Sequence, residues 1–144
     1  MTITAMTTGR RNTSDPRISI VVPALNEALN LTAVLPQLPK VNEVILVDGG
    51  SVDGTVQAAR RALPSIITVL QSRRGKGNAL AAGFKRVTGD IVVMFDADGS
   101  ADPTEIVRFV EELKAGADFA RARASPRVAA RPTSPGCATW ATGS

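Results

Sequence analysis

An open, mostly parallel α/β sheet with helices on both faces is the fold this sequence predicts, and three observations predict it. Short apolar runs that do not alternate with polar residues recur along the chain, as in strands covered on both faces. Each run is followed by a helix-like pattern, giving the order βαβαβαβα. Each run also ends in a polar segment, the place where open α/β sheets bind ligands.

The first strand is "ISIVVP", Ile18 to Pro23, followed by a helix over "NEALNLTAVL" that stops near Pro36. "EVILVD", Glu43 to Asp48, is the second strand and "DGTVQAARRAL" its helix. "IITVLQ", Ile66 to Gln71, is the third, with "GNALAAGFKRV" after it. The fourth is Ile91 to Phe95, leading to a helix from Pro103 to about Ala115. Asp102 is placed to cap that last helix, with Pro103 in the first turn and Glu105 three residues after the cap. Three parts follow: a flexible N-terminal segment over 1–16, the α/β unit over 17–120, and a low-complexity tail over 121–144.

The chain has 144 residues, 44% of them hydrophobic, which suits one domain with a true core. Its net charge of +4 is not a nucleic-acid footprint. Residues 1–120 hold 13 basic and 13 acidic side chains, and the excess is the four Arg of the tail. Aromatic residues are 3%, too few for a base-stacking platform. The one cysteine, Cys137, forms neither an internal disulfide framework nor a Cys-rich zinc site. No apolar run approaches the roughly 20 residues of a spanning helix, and the N-terminus lacks a signal-peptide core. A cytosolic chain is expected. With no histidine, Ser-His and Cys-His nucleophilic schemes and His-ligated metals are excluded, so ionic chemistry falls to carboxylates.

The polar strand ends are "PALNE", "DGGSVDGT", "SRRGKGN" and "DADGS". They arise at the same point of successive units and therefore meet at one edge of the sheet. In extended backbone Asp96 and Asp98 point the same way, so both carboxylates aim at one object, a cation. Two carboxylates, phosphates and water suit Mg²⁺ or Mn²⁺ rather than zinc. Such a cation would stabilise negative charge developing on the oxygens of a bound substrate. Lys76, ahead of a helix start, adds a point charge for the same phosphates. Each feature also has a plainer role. Asp-x-Asp-Gly alone is commonly a solvated turn, Lys76 a solvated side chain, and Asn26 and Glu27 helix caps. "RRGKGNA" lacks the Walker spacing, and "PALNE" lacks the Gly-x-Gly of a dinucleotide fold.

Taken in order, "VVPALNE", "ILVDGGSVDGT", "GKGNALAAGF" and "IVVMFDADGSADP" resemble the motifs of family-2 glycosyltransferases of the nucleotide-diphospho-sugar transferase (GT-A) fold. The resemblance spans about 17–120 and is closest to dolichol-phosphate mannose synthases and bacterial polyprenyl-phosphate glycosyltransferases. It implies a nucleoside-diphosphate sugar, UDP- or GDP-linked, bordered by Pro23, Ala24, Asn26 and Glu27, with Asp48 at the base. It further implies that the segment Asp96, Ala97 and Asp98 meets the donor, the two aspartates holding the metal and taking part in catalysis. Polyprenyl phosphate at the membrane surface is the implied acceptor, and being an anionic nucleophile it needs no general base. Two departures stand out. Gly49 takes the place of the family's usual second aspartate after Asp48, and the family's acceptor-binding half has no counterpart in the tail. That tail, with six Ala, four Arg and three Pro, is expected to be poorly ordered, and a GC-rich gene read out of frame after about Phe119 would give such a composition. A nucleotide-sugar-binding module without turnover is the alternative function. A nucleotidyltransferase of related fold would need a glycine- and arginine-rich first loop, which "PALNE" is not.

Overall fold

The computed structural model describes residues 3–9 and 15–121. They form strands β1 (Ile3–Thr7), β2 (Ile18–Ala24), β3 (Glu43–Asp48), β4 (Ile67–Leu70), β5 (Ile91–Phe95) and β6 (Phe119–Arg121). Between them lie helices α1 (Ala28–Val34), α2 (Thr55–Ala62), α3 (Lys76–Phe84) and α4 (Glu105–Lys114). A 3-10 turn at Leu35–Gln37 ends the α1 segment at Pro36, as proline dictates. One sheet holds all six strands in the order β4-β3-β2-β5-β1-β6. The pairs β2–β3, β2–β5 and β3–β4 are parallel, and β1 runs antiparallel to both of its neighbours.

The four expected strands and helices are present, and the sheet is mostly parallel as expected. Two strands are additional. The N-terminal segment 1–16, expected to be flexible, supplies β1, so that expectation is corrected for Ile3–Thr7. Ile3 and Ala5 are fully buried there, because pairing with β5 carries them under α4. The short β6 pairs outside β1 and extends the sheet to Arg121. The rest of the tail, Cys137 included, lies outside the described residues.

The core has two sides. On one, Ile20, Val22, Leu46, Val93 and Phe95 pack with Leu31 of α1, Ala59 of α2 and Ile106, Phe109, Val110 and Leu113 of α4. On the other, Val21, Ile45, Val47 and Val92 pack with Ala79 and Leu80 of α3. Strands β2 and β5 are therefore buried on both faces, which is why their sequences do not alternate. Helix α3 lies close to the sheet at Gly83, where a Cβ would stand 2.5 Å from Val21 Cγ1. Helix α4 starts two residues later than expected. Asp102 still serves that end, its Oδ1 accepting from Thr104 N at 2.9 Å and Thr104 Oγ1 at 2.7 Å. Among the described residues no helix is long and apolar enough to cross a membrane.

From β2 the chain steps to β3 and β4 on one side and then returns to β5 on the other. The strand order thus reverses at β2, and the loops leaving β2 and β5 part there, the usual position of a ligand crevice in an open α/β sheet.

Candidate donor-binding site

A crevice of about 580 Å³ opens at that reversal. Pro23, Ala24, Leu25 and Glu27 line it from the end of β2, and Gly49 and Gly50 from the end of β3. Gln71, Arg74 and Gly75 come from the loop between β4 and α3, with Lys76 opening that helix and Ala79 one turn into it. Asp96, Ala97 and Asp98 close it from β5.

Main-chain and short side-chain hydrogen bonds hold the first two loops together. Asn26 N donates to Ser51 Oγ at 2.9 Å, and Val52 N donates to Asn26 Oδ1 at 3.0 Å. Glu27 N donates to Thr55 Oγ1 at 3.0 Å and Ala28 N to Asp53 Oδ2 at 3.2 Å. Asn26 has φ 54°, a left-handed conformation that asparagine tolerates better than most residues. Asn26 does not line the crevice; it fastens the β2 loop to the β3 loop. Asp48 is buried, and its carboxylate accepts from the N–H groups of Gly50 and Ser51 at 3.2–3.3 Å. It likewise does not line the crevice and instead shapes the glycine turn that does.

The two aspartates of the β5 end differ in environment. Asp96 is 9% exposed, and its Oδ1 lies 2.5 Å from Lys76 Nζ. Asp98 is exposed, and its Oδ1 accepts from Ser100 Oγ at 2.5 Å and Ser100 N at 2.9 Å. The Ser100 hydroxyl and amide hold the Asp98 carboxyl below its ordinary range, against a smaller opposing effect of burial, and the Lys76 charge adds to the lowering. Strand alternation does not bring the pair together, because β5 ends at Phe95 and residues 97–98 lie in a turn. The turn carries Asp98 to the same crevice instead.

Among the described residues no group of three or more His, Cys, Asp or Glu forms a closed metal cage. The donor set on hand, two carboxylates beside open space, fits a hard divalent cation that completes its shell with substrate phosphates and water. The crevice also carries two cations, Lys76 and Arg74. Sequence reasoning named Lys76 and missed Arg74, Gln71 and Leu25. Gln71 is placed by a hydrogen bond from its own N to Asp48 O at 2.8 Å, while its Nε2 donates to Gly75 O at 2.6 Å. A Cβ on Gly49 would meet Gln71 Oε1 and Leu25 Cδ1 at 3.4 Å. The missing side chain at residue 49 thus leaves space that Gln71 and Leu25 border.

Comparison with known proteins agrees with this fold. Residues 19–126 match the family model described as Glycosyl transferase family 2. An uncharacterized glycosyltransferase of Mycobacterium tuberculosis (strain CDC 1551 / Oshkosh) is 38% identical over 109 residues, covering 76% of this chain and 49% of the relative. An undecaprenyl-phosphate 4-deoxy-4-formamido-L-arabinose transferase of Photorhabdus laumondii is 36% identical over 123 residues, covering 77% of this chain and 38% of the relative. The crystal structure of glucosyl-3-phosphoglycerate synthase from Mycobacterium tuberculosis with UDP superposes with a TM-score of 0.64 at 30% identity, over 72% of this chain and 42% of that one. The same enzyme is also known with Mn²⁺, UDP and glucosyl-3-phosphoglycerate, and with Mg²⁺ and UDP. The chain spans half or less of the length of these relatives.

Proposed function

The chain belongs to glycosyl transferase family 2, and from that premise we propose that its crevice binds a nucleoside-diphosphate sugar and presents the sugar for transfer to polyprenyl phosphate. The observation that carries this reading is the meeting of Asp96, Asp98, Lys76 and Arg74 at one crevice where the strand order reverses. Pro23, Ala24 and Glu27 border the nucleoside. Asn26 and Asp48 act on it by fixing the two loops. Lys76 and Arg74 face the diphosphate, and Ala97, which is buried, sets the turn that presents the two aspartates.

Asp96 and Asp98 would hold Mg²⁺ or Mn²⁺, which when bound neutralises charge developing on the departing diphosphate. The cationic side chains act on the same oxygens as charge-assisted donors. The acceptor is inferred from its chemistry: a phosphate monoester is ionised at neutral pH and attacks the anomeric carbon without a general base. The naming of undecaprenyl phosphate in a relative supports this choice. UDP is favoured over GDP by the UDP complexes of the structural relative. A polyprenyl acceptor places the domain on the cytosolic surface of a membrane.

Calorimetric titration of UDP and of GDP, with Mn²⁺ and again with EDTA, tests the donor site. We expect UDP binding that needs the metal and is lost in the double variant Asp96→Ala, Asp98→Ala. Equal affinity with and without EDTA would refute the metal site. A second reading is a binding module that holds the donor without turnover. Sugar transfer from UDP-sugars to polyprenyl phosphate, assayed over several turnovers, separates the two.

A further inference from the structure

We infer that Lys76 is a built-in counter-cation for Asp96 that competes with the divalent metal, so that the nucleotide diphosphate must draw Lys76 away before the metal binds tightly. The inference rests on the donor-site reading above and adds a binding order to it. Asp96 is nearly buried, and the Lys76 ammonium at 2.5 Å is its ion-pair partner. A carboxylate so poorly hydrated needs a positive neighbour, since an unpaired buried charge is strongly unfavourable. Lys76 lines the same crevice as Asp98 as well as Asp96, so its charge lies near both carboxylates that would ligate the metal.

The position of Lys76 makes the exchange feasible. Its side chain is 59% exposed against 12% for Asp96, so the ammonium can leave without unpacking anything, whereas the carboxylate cannot. Gly75 precedes it with φ 109°, a conformation that glycine adopts at little cost. Lys76 and Arg74 line the same crevice, so an incoming diphosphate offers the ammonium a second anionic partner. Asp96 is then released to the metal. Metal and nucleotide should therefore bind with positive coupling, each strengthening the other by the same factor.

The test is Mn²⁺ titration of the folded protein, read by the electron paramagnetic resonance of free Mn²⁺, with and without UDP, for wild type, Lys76→Met and Lys76→Arg. Without UDP, Lys76→Met should bind Mn²⁺ about tenfold more tightly, because a like charge within a few ångströms of the site has been removed. Its UDP affinity in saturating Mn²⁺ should fall, and the coupling between the two ligands should shrink. Lys76→Arg should keep weak Mn²⁺ binding in the absence of UDP. Equal or weaker Mn²⁺ binding by Lys76→Met without UDP would overturn the competition while leaving the donor site intact. If wild type and Lys76→Met bind no Mn²⁺ even with UDP, both the inference and the donor-site reading fall.

Discussion

At the scale of single residues, the crevice separates side chains that would touch a ligand from side chains that shape the loops around it. Asp48 and Asp98 make the contrast. Both carboxylates accept hydrogen bonds from their own turns, but Asp48 is buried and Asp98 exposed. Asp48→Ala leaves the Gly50 and Ser51 amides without that acceptor and should cost about 1–3 kcal/mol of stability, lowering nucleotide affinity through the loop. Asp98→Ala should change stability little and abolish the metal dependence of nucleotide binding. Urea unfolding alongside calorimetry checks both; equal stability loss in the two variants would contradict the distinction. The sequence had marked both aspartates as strand-end acids. It did not show that one turns back into its loop, because that depends on the conformation of Gly49 and Gly50.

At the scale of elements, α3 sets where Lys76 stands, and its distance from the sheet is set at Gly83. An alanine there would bring Cβ to 2.5 Å from Val21 Cγ1 and 3.1 Å from Val47 Cγ2, both on buried β-branched residues. Overpacking of this kind costs about 1–3 kcal/mol, only partly offset by about 1 kcal/mol of better helix propensity. Gly83→Ala should therefore lower the unfolding midpoint and weaken nucleotide binding by displacing the helix start. An unchanged midpoint would show that α3 is free to move outward. At the opposite end of the sheet, Glu43 Oε1 accepts from Ser19 Oγ at 2.5 Å and from Thr88 N at 2.6 Å, joining β2, β3 and the turn before β5. Burial alone would raise the Glu43 carboxyl, but these hydrogen bonds and the Arg17 charge outweigh it and hold the group below its ordinary range. Because the folded-state value is depressed, this stabilisation is complete above the unfolded carboxylate value and is lost as pH falls through the lowered one. Glu43→Gln should be less stable at neutral pH and flatter in stability across that acid window. Denaturant midpoints measured at successive pH values would show it.

At the scale of the whole molecule, three helices cover one face of the sheet and α3 packs on the other. Among the described residues, the strands at the two edges carry exposed apolar residues: Leu70, 72% exposed on β4, and Phe119, 56% exposed on β6. Unpaired edges with apolar side chains favour association. Light scattering over a concentration series should show self-association that Leu70→Lys reduces. A monomer at every concentration would show that these edges are inert. The sequence by itself determined the four βα units, the doubly buried strands and the polar loops at their ends, because local apolar runs and helical periods encode them. It also brought Asp96, Asp98 and Lys76 under suspicion, because the polar segments that carry them follow successive strands and must meet at one edge of the sheet. Only the tertiary structure decided the rest. It alone made strands of Ile3–Thr7 and Phe119–Arg121, because these segments lack the unbroken apolar run that marks the other strands and become strands only by pairing with partners distant in the chain. It alone set Arg74 and Gln71 into the crevice, turned Asn26 and Asp48 into loop fasteners, and joined Lys76 to Asp96. Such contacts depend on where loops from separate strands meet, and no local pattern records that distance.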